Sequence, residues 1–272
     1  TAKDVDAYTV WYKAQGDNNH NDSEAKSVTA SIIVNNVTAP IIKITPEKAA
    51  FNGEKQEPTV TVKDDSGLVI DGSEYTATCT TDLTSVGTHT LTITGTGTHY
   101  DFTATATFEI LPADQKPLTI TGTRERVYYG DTIQLGTTGG DGTIAWTVSD
   151  STIASITNGL LTITGVGSVT VTATSTKPGY ADQTAAWPFY ADKKQVTAVV
   201  TAAAKTYDSS TTATVTAALN TSDMVDGDTV SITLSGSFED PNAGTDKKVN
   251  VDSTNPNFTG STGNYQNYLI TY

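Results

Sequence analysis

The feature that most constrains this chain is a strict alternation of apolar residues with threonine. In His89-Thr90-Leu91-Thr92-Ile93-Thr94-Gly95 the odd positions point one way and the threonines the other. That is the mark of a strand with one buried and one wet face. The same texture runs through Thr59 to Val62, Tyr75 to Thr80, Thr103 to Ile110, Ile144 to Val148, Ser168 to Ala173, Thr212 to Ala217 and Thr229 to Leu234. Turn signals divide these stretches: Asn52-Gly53, Asp71-Gly72, Gly139-Gly140-Asp141-Gly142, Asn158-Gly159 and Asp226-Gly227. With 53 threonines among 272 residues and a single Met, the chain is poor in helix formers, and no window carries an amphipathic helix. Short strands at roughly ten-residue spacing predict antiparallel sandwiches.

Prolines and short charged stretches mark the joints. Thr38-Ala39-Pro40 opens one unit, Leu111 to Pro117 a second and Ala191 to Gln195 a third. The expected organisation is a partial β module over 1–37, then β-sandwiches over 38–113, 114–192 and 193–272. Linkers this short predict stacking end to end as an elongated rod. In 1–37 two strands, Tyr8 to Ala14 and Ala25 to Val34, flank a polar turn, and a lone hairpin is marginal in water.

Thirty acidic against sixteen basic residues leave a formal charge of −14. Such a chain repels nucleic acid and anionic membranes, so neither is an expected partner. An apolar run long enough to span a bilayer and a basic-then-apolar leader are both missing, which reads as a mature or trimmed soluble segment with no membrane insertion. The lone Cys79 cannot form an internal disulfide, and its strand makes it a small buried hydrophobe.

Residues 130–173 resemble the bacterial immunoglobulin-like group 2 module, through Gly130-Asp131-Thr132-Ile133-Gln134-Leu135, Ile144-Ala145-Trp146-Thr147-Val148-Ser149-Asp150, Asn158-Gly159-Leu160 and Gly167-Ser168-Val169-Thr170-Val171. Residues 200–272 are similar to the YDG repeat, through Lys205-Thr206-Tyr207-Asp208, Phe238-Glu239-Asp240, Asn242-Ala243-Gly244 and Gly263-Asn264-Tyr265, with Ser209 where that repeat has Gly. With Phe51-Asn52-Gly53, Pro58-Thr59-Val60, Tyr75 and Gly95-Thr96-Gly97-Thr98-His99-Tyr100, residues 40–112 resemble the MBG-type repeat, and 7–34 the last strands of another copy. These resemblances imply tandem Ig-like sandwiches in a secreted or surface-attached bacterial protein of adhesin type. They carry no catalytic residue to transfer.

The side chains offer little chemistry. His20, His89 and His99 are the only histidines, none at zinc spacing and none paired with a nucleophile elbow, so they read as ordinary surface residues. No enzyme is expected in this chain. Oxygen-rich loops at Asp17 to Asp22, Asp64-Asp65-Ser66-Gly67 and Asp240 to Asp246 match no calcium-loop pattern. The expectation is no cofactor, with weak calcium binding as the alternative. Aromatics are the binding lead. Trp187, Phe189 and Tyr190, Tyr128 and Tyr129, and Trp11 fall near module ends, where their rings would stack on a glycan, meet a cell-surface protein or pack between modules. The expected partner is thus a glycan or a host or cell-surface protein, and the chain is expected to be monomeric. The competing function is a set of accessory modules from a larger carbohydrate-active or wall-hydrolysing enzyme.

Overall fold

The computed structural model describes residues 6–258 and 264–272. Among these residues the regular structure is strand, relieved by three short 3-10 turns. No helix in it is long and apolar enough to cross a membrane. By compactness the chain divides into two units, residues 1–114 with 178–181, and 115–177 with 182–272.

In the first unit, Ile41–Thr45, Thr59–Lys63 and Val69–Ile70 form one sheet. Lys48–Ala50, Thr103–Leu111, Gly87–Gly95 and Tyr75–Cys79 form the other. The alternation fixes what meets between them. Ile44, Val62 and Ile70 from one sheet bury against Leu91, Ile93, Phe108 and Ile110 from the other, while the intervening threonines stay outside. The N-terminal hairpin pairs Asp6–Tyr12 with Lys26–Ile32, Asp6 opposite Ile32, and its strands are almost wholly exposed.

The second unit opens with a two-sheet β-sandwich. Thr132–Gln134, Leu160–Ile163 and Ala154–Thr157 make its three-stranded sheet. Val127–Tyr128, Gln183–Asp192, Gly167–Thr176 and Thr143–Val148 make the four-stranded one. Ile133, Leu161 and Ile163 bury against Val127, Val169, Val171 and Ala191. The hairpin Thr157-Asn158-Gly159-Leu160 turns through positive φ at both central residues, 50° and 81°, which is why Asn-Gly stands there. Residues 115–117 are tied down within the second unit. Buried Gln115 donates to the Ser175 carbonyl (3.0 Å) and accepts from the Ser175 hydroxyl (2.7 Å) and the Asp141 amide (3.0 Å).

Beyond Ala191 the described strands join in one five-stranded sheet, ordered Val249–Phe258, Ile232–Phe238, Thr212–Leu219, Lys194–Ala202, Tyr268–Thr271. Lys194–Ala202 changes partner halfway: Lys194 to Thr197 pair in parallel with the C-terminal strand, and Ala198 to Ala202 pair antiparallel with Leu219 to Val215. One apolar face, with Ala198, Val215, Ala217, Ile232 and Leu234, forms the core here.

Three local expectations need correction. His89 is buried, not at the surface: its ring nitrogens lie 2.8 Å from the Thr81 hydroxyl and 2.8 Å from the Ser85 carbonyl, which makes burial tolerable. Cys79 is half-buried, its thiol 3.3 Å from the Thr81 hydroxyl. The strand expected from Thr229 starts at Ile232, because the preceding turn is held by tyrosines described below.

Candidate binding cleft

The aromatics singled out in the sequence do not gather into one site. Trp187 and Phe189 alternate on the inner side of Gln183–Asp192, half-buried against the sandwich core, with ring centroids 4.4 Å apart at 30°. Tyr190, on the outer side of that strand, is 56% exposed. Tyr128 is half-buried on the short strand Val127–Tyr128. Trp11 lies on the N-terminal hairpin opposite Ser27, 68% exposed.

Tyr129 has a different role. It is 5% exposed and packs edge-on against Tyr268, centroids 5.4 Å apart, beside Val196. Both hydroxyls donate to one carboxylate oxygen of Asp228, at 2.9 Å from Tyr129 and 2.5 Å from Tyr268, while the Asn264 amide donates to the other at 2.6 Å. The Val225 amide donates to the Tyr268 hydroxyl at 2.9 Å. Burial pushes the Asp228 carboxyl up, but the three donors outweigh it and hold the group below its usual value. The same burial, with the carboxylate alongside, pushes both tyrosine hydroxyls up. Gly130 lets the turns meet: a Cβ there would lie 2.3 Å from Val225. This constellation joins two parts of the second unit, and three donors already take up the Asp228 carboxylate, so its role is structural.

The residues that do converge on a concave site come from the last 80 of the chain. The connection 203–211 follows Lys194–Ala202, and the connection 239–248 follows Ile232–Phe238; antiparallel pairing brings both to the same end of the sheet. Between them lies a cleft of about 590 Å³, floored by Ala202 to Ala204, Phe238 and Val249. One wall is a clamped loop. The Lys205 ammonium donates to the Asp208 carboxylate, the Ser210 carbonyl and the Ser210 hydroxyl, each at 2.8 Å, and stands 5.7 Å above the Phe238 ring. Asp208 also accepts the Ser210 amide at 2.9 Å, and the lysine with this amide holds its carboxyl down to about 2. Ser209, between them, takes a φ of 63°. The opposite wall repeats the device: Lys247, only 15% exposed, pairs with Asp240, which also accepts the Asn242 amide at 2.8 Å.

The clamps leave one large group over. Tyr207 is 63% exposed at the cleft edge and makes no hydrogen bond among the described residues, and the side chains of Thr245 and Asp246 across from it make none either. The sequence held Lys205, Tyr207, Asp208, Phe238 and Asp240 as repeat signatures, but not as one site. The only signal available was that these motifs sit at strand ends some 30 residues apart, and the pairing that unites them is non-local.

Most carboxylates of the acidic loops, Asp246 excepted, are taken up by the chain's own amides, hydroxyls and lysines. Asp64 accepts the amides of Ser66 (2.9 Å) and Leu68 (3.0 Å), Asp65 those of Thr38 (3.1 Å) and Ala39 (2.8 Å), and Asp22 the Gly16 amide (2.8 Å) and the Lys13 ammonium (2.7 Å). Among the described residues no group of three or more His, Cys, Asp or Glu is placed to hold a metal ion.

Residues 192–272 match the YDG domain family. No curated protein matches the chain. Among solved structures it is similar to a C-terminal 282-residue fragment of intimin, solved in complex with the intimin-binding domain of the translocated intimin receptor: 20% identity over 58% of this chain and 65% of that one, TM-score 0.25. It is also similar to the extracellular domain of protocadherin gamma B4, at 11% identity over 90% of this chain and 54% of that one, TM-score 0.28. Protocadherin gamma B7 cadherin domains 1–4 give 11% identity over 68% and 57%, TM-score 0.21. The chain thus spans less than two thirds of each of these structures. The family match covers the segment that carries the cleft.

Proposed function

We propose that the chain is a non-enzymatic, adhesin-type protein of the bacterial surface or secreted space, in which sandwich modules act as stalk and the YDG-type module presents the recognition surface to a surface protein or glycan. The observation that carries this reading is the cleft itself: two loops rigidified by internal lysine–aspartate clamps, with an exposed tyrosine left over at the rim. A structural spacer has no need of a solvent-facing ring on a clamped loop, whereas a binding site gains from one, since little freedom remains to be lost on association. The acidic, threonine-rich outer faces support the same reading by keeping a repetitive β protein soluble.

Beads coated with the monomeric chain test it. Retention on epithelial monolayers above albumin-coated beads is expected, falling when Tyr207 is changed to Ala, and unaltered by EDTA because no group of three or more His, Cys, Asp or Glu among the described residues is placed to hold a metal ion. Retention equal to albumin would contradict the proposal.

A further inference from the structure

We propose that the cleft between the 203–211 and 239–248 connections is a saccharide site, taking a neutral oligosaccharide that stacks one ring on Tyr207 and hydrogen-bonds to Thr245 and Asp246. This rests on the reading of the cleft as the recognition surface and adds the class of ligand. Size comes first: about 590 Å³ falls within the roughly 300–1,000 Å³ of small-molecule sites and accommodates a short oligosaccharide, not a globular partner.

Charge narrows the ligand further. Lys205 is neutralised by Asp208 and Lys247 by Asp240, so the two cations of the cleft are already spent. Asp246 remains, on a chain of net charge −14, which repels sulfated, sialylated or phosphorylated ligands. The favoured ligand is uncharged.

The remaining groups suit a sugar better than a peptide. A peptide hot spot needs a vacant apolar pocket for an anchoring side chain. The one large apolar group on the floor, Phe238, is capped by the Lys205 ammonium. A sugar ring instead needs a flat aromatic face for its C–H side and hydroxyl partners at its edge. Tyr207 supplies the face; the Thr245 hydroxyl donates or accepts, and the Asp246 carboxylate accepts from sugar hydroxyls. Because the loop geometry is set by the Lys205 clamp and not by Tyr207, the ring is removable without disturbing the wall that carries it.

The test is NMR titration of the full chain with cellotriose, maltotriose, triacetylchitotriose and lacto-N-tetraose, with 3′-sialyllactose and a hexalysine peptide alongside. At least one neutral saccharide is expected to shift the Tyr207 ring and the amides of 203–211 and 239–248 saturably. Tyr207→Ala should weaken that binding by about tenfold, the worth of one aromatic stacking contact, with an unchanged thermal midpoint. Silence from all four neutral saccharides, affinity unchanged in Tyr207→Ala, or preference for 3′-sialyllactose or hexalysine would each overturn the saccharide assignment. Bead retention that persists through such a result would leave the adhesin reading standing without it.

Discussion

Ser209 shows how single residues encode the cleft. It holds a left-handed backbone, φ 63°, between Asp208 and Ser210, whose side chain and carbonyl Lys205 grips. A serine there costs conformational energy that glycine avoids. Its own side chain is exposed and bonded to nothing among the described residues, so Ser209→Gly should raise stability by about 0.5–1 kcal/mol, read as a higher midpoint in calorimetry. A lower midpoint would mean the loop gains more from a stiff unfolded chain than from relieved strain. The departure from the repeat pattern at this position was legible in the sequence, and the positive φ explains why the pattern has glycine. For His89 alternation gave the face, shared with Leu91 and Ile93, but not the partners that make its burial tolerable. Its burial depends on Thr81 and the Ser85 carbonyl, supplied by a neighbouring loop that local periodicity does not describe.

At the scale of strands, two-residue periodicity specified most of the architecture, because a one-residue slip would turn every apolar side chain to solvent. Trp187 and Phe189 illustrate both its reach and its limit. Alternation put them on one face of Gln183–Asp192, with Tyr190 on the other, yet could not say which face was the inner one. That depends on the strands alongside, Val127–Tyr128 and Gly167–Thr176. The cleft escaped for the same reason at longer range: it exists only once 203–211 and 239–248 reach one end of the sheet. Strand starts were blurred where tertiary bonds intervene, as at Asp228, whose tyrosine partners hold the chain in a turn until Ile232 can pair.

At the scale of the whole molecule, the chain is a series of local hydrophobic clusters, drawn from residues 37–110, 127–191 and 198–270. Within the second unit a fourth cluster, built on Tyr129, Val196 and Tyr268, couples the last two of them around Asp228. Residues 115–272 should therefore melt as one transition at neutral pH. Asp228→Ala leaves two tyrosine hydroxyls without their acceptor, costing about 1–3 kcal/mol, and should split or broaden that transition. Acid should do the same to the unaltered protein. The Asp228 carboxyl is held below its ordinary value, so its contribution is complete above about pH 3.9 and is lost as pH falls through the folded value. The tyrosine hydroxyls are pushed up, so their contribution is complete below about pH 10 and is lost as pH rises through their folded values. An undivided transition in Asp228→Ala would show that the joint does not couple the clusters.

Hydrogen exchange on the chain bound to whatever surface ligand retains the beads tests the recognition claim most directly. With the cleft as the binding surface, added protection falls on 203–211 and 239–248. Binding is then weakened by Tyr207→Ala at constant stability and spared by Trp187→Ala, which lowers stability by about 2–4 kcal/mol through lost core packing. Protection centred on Trp11, Tyr128 or Tyr190, with Tyr207→Ala binding as well as the parent chain, would contradict it.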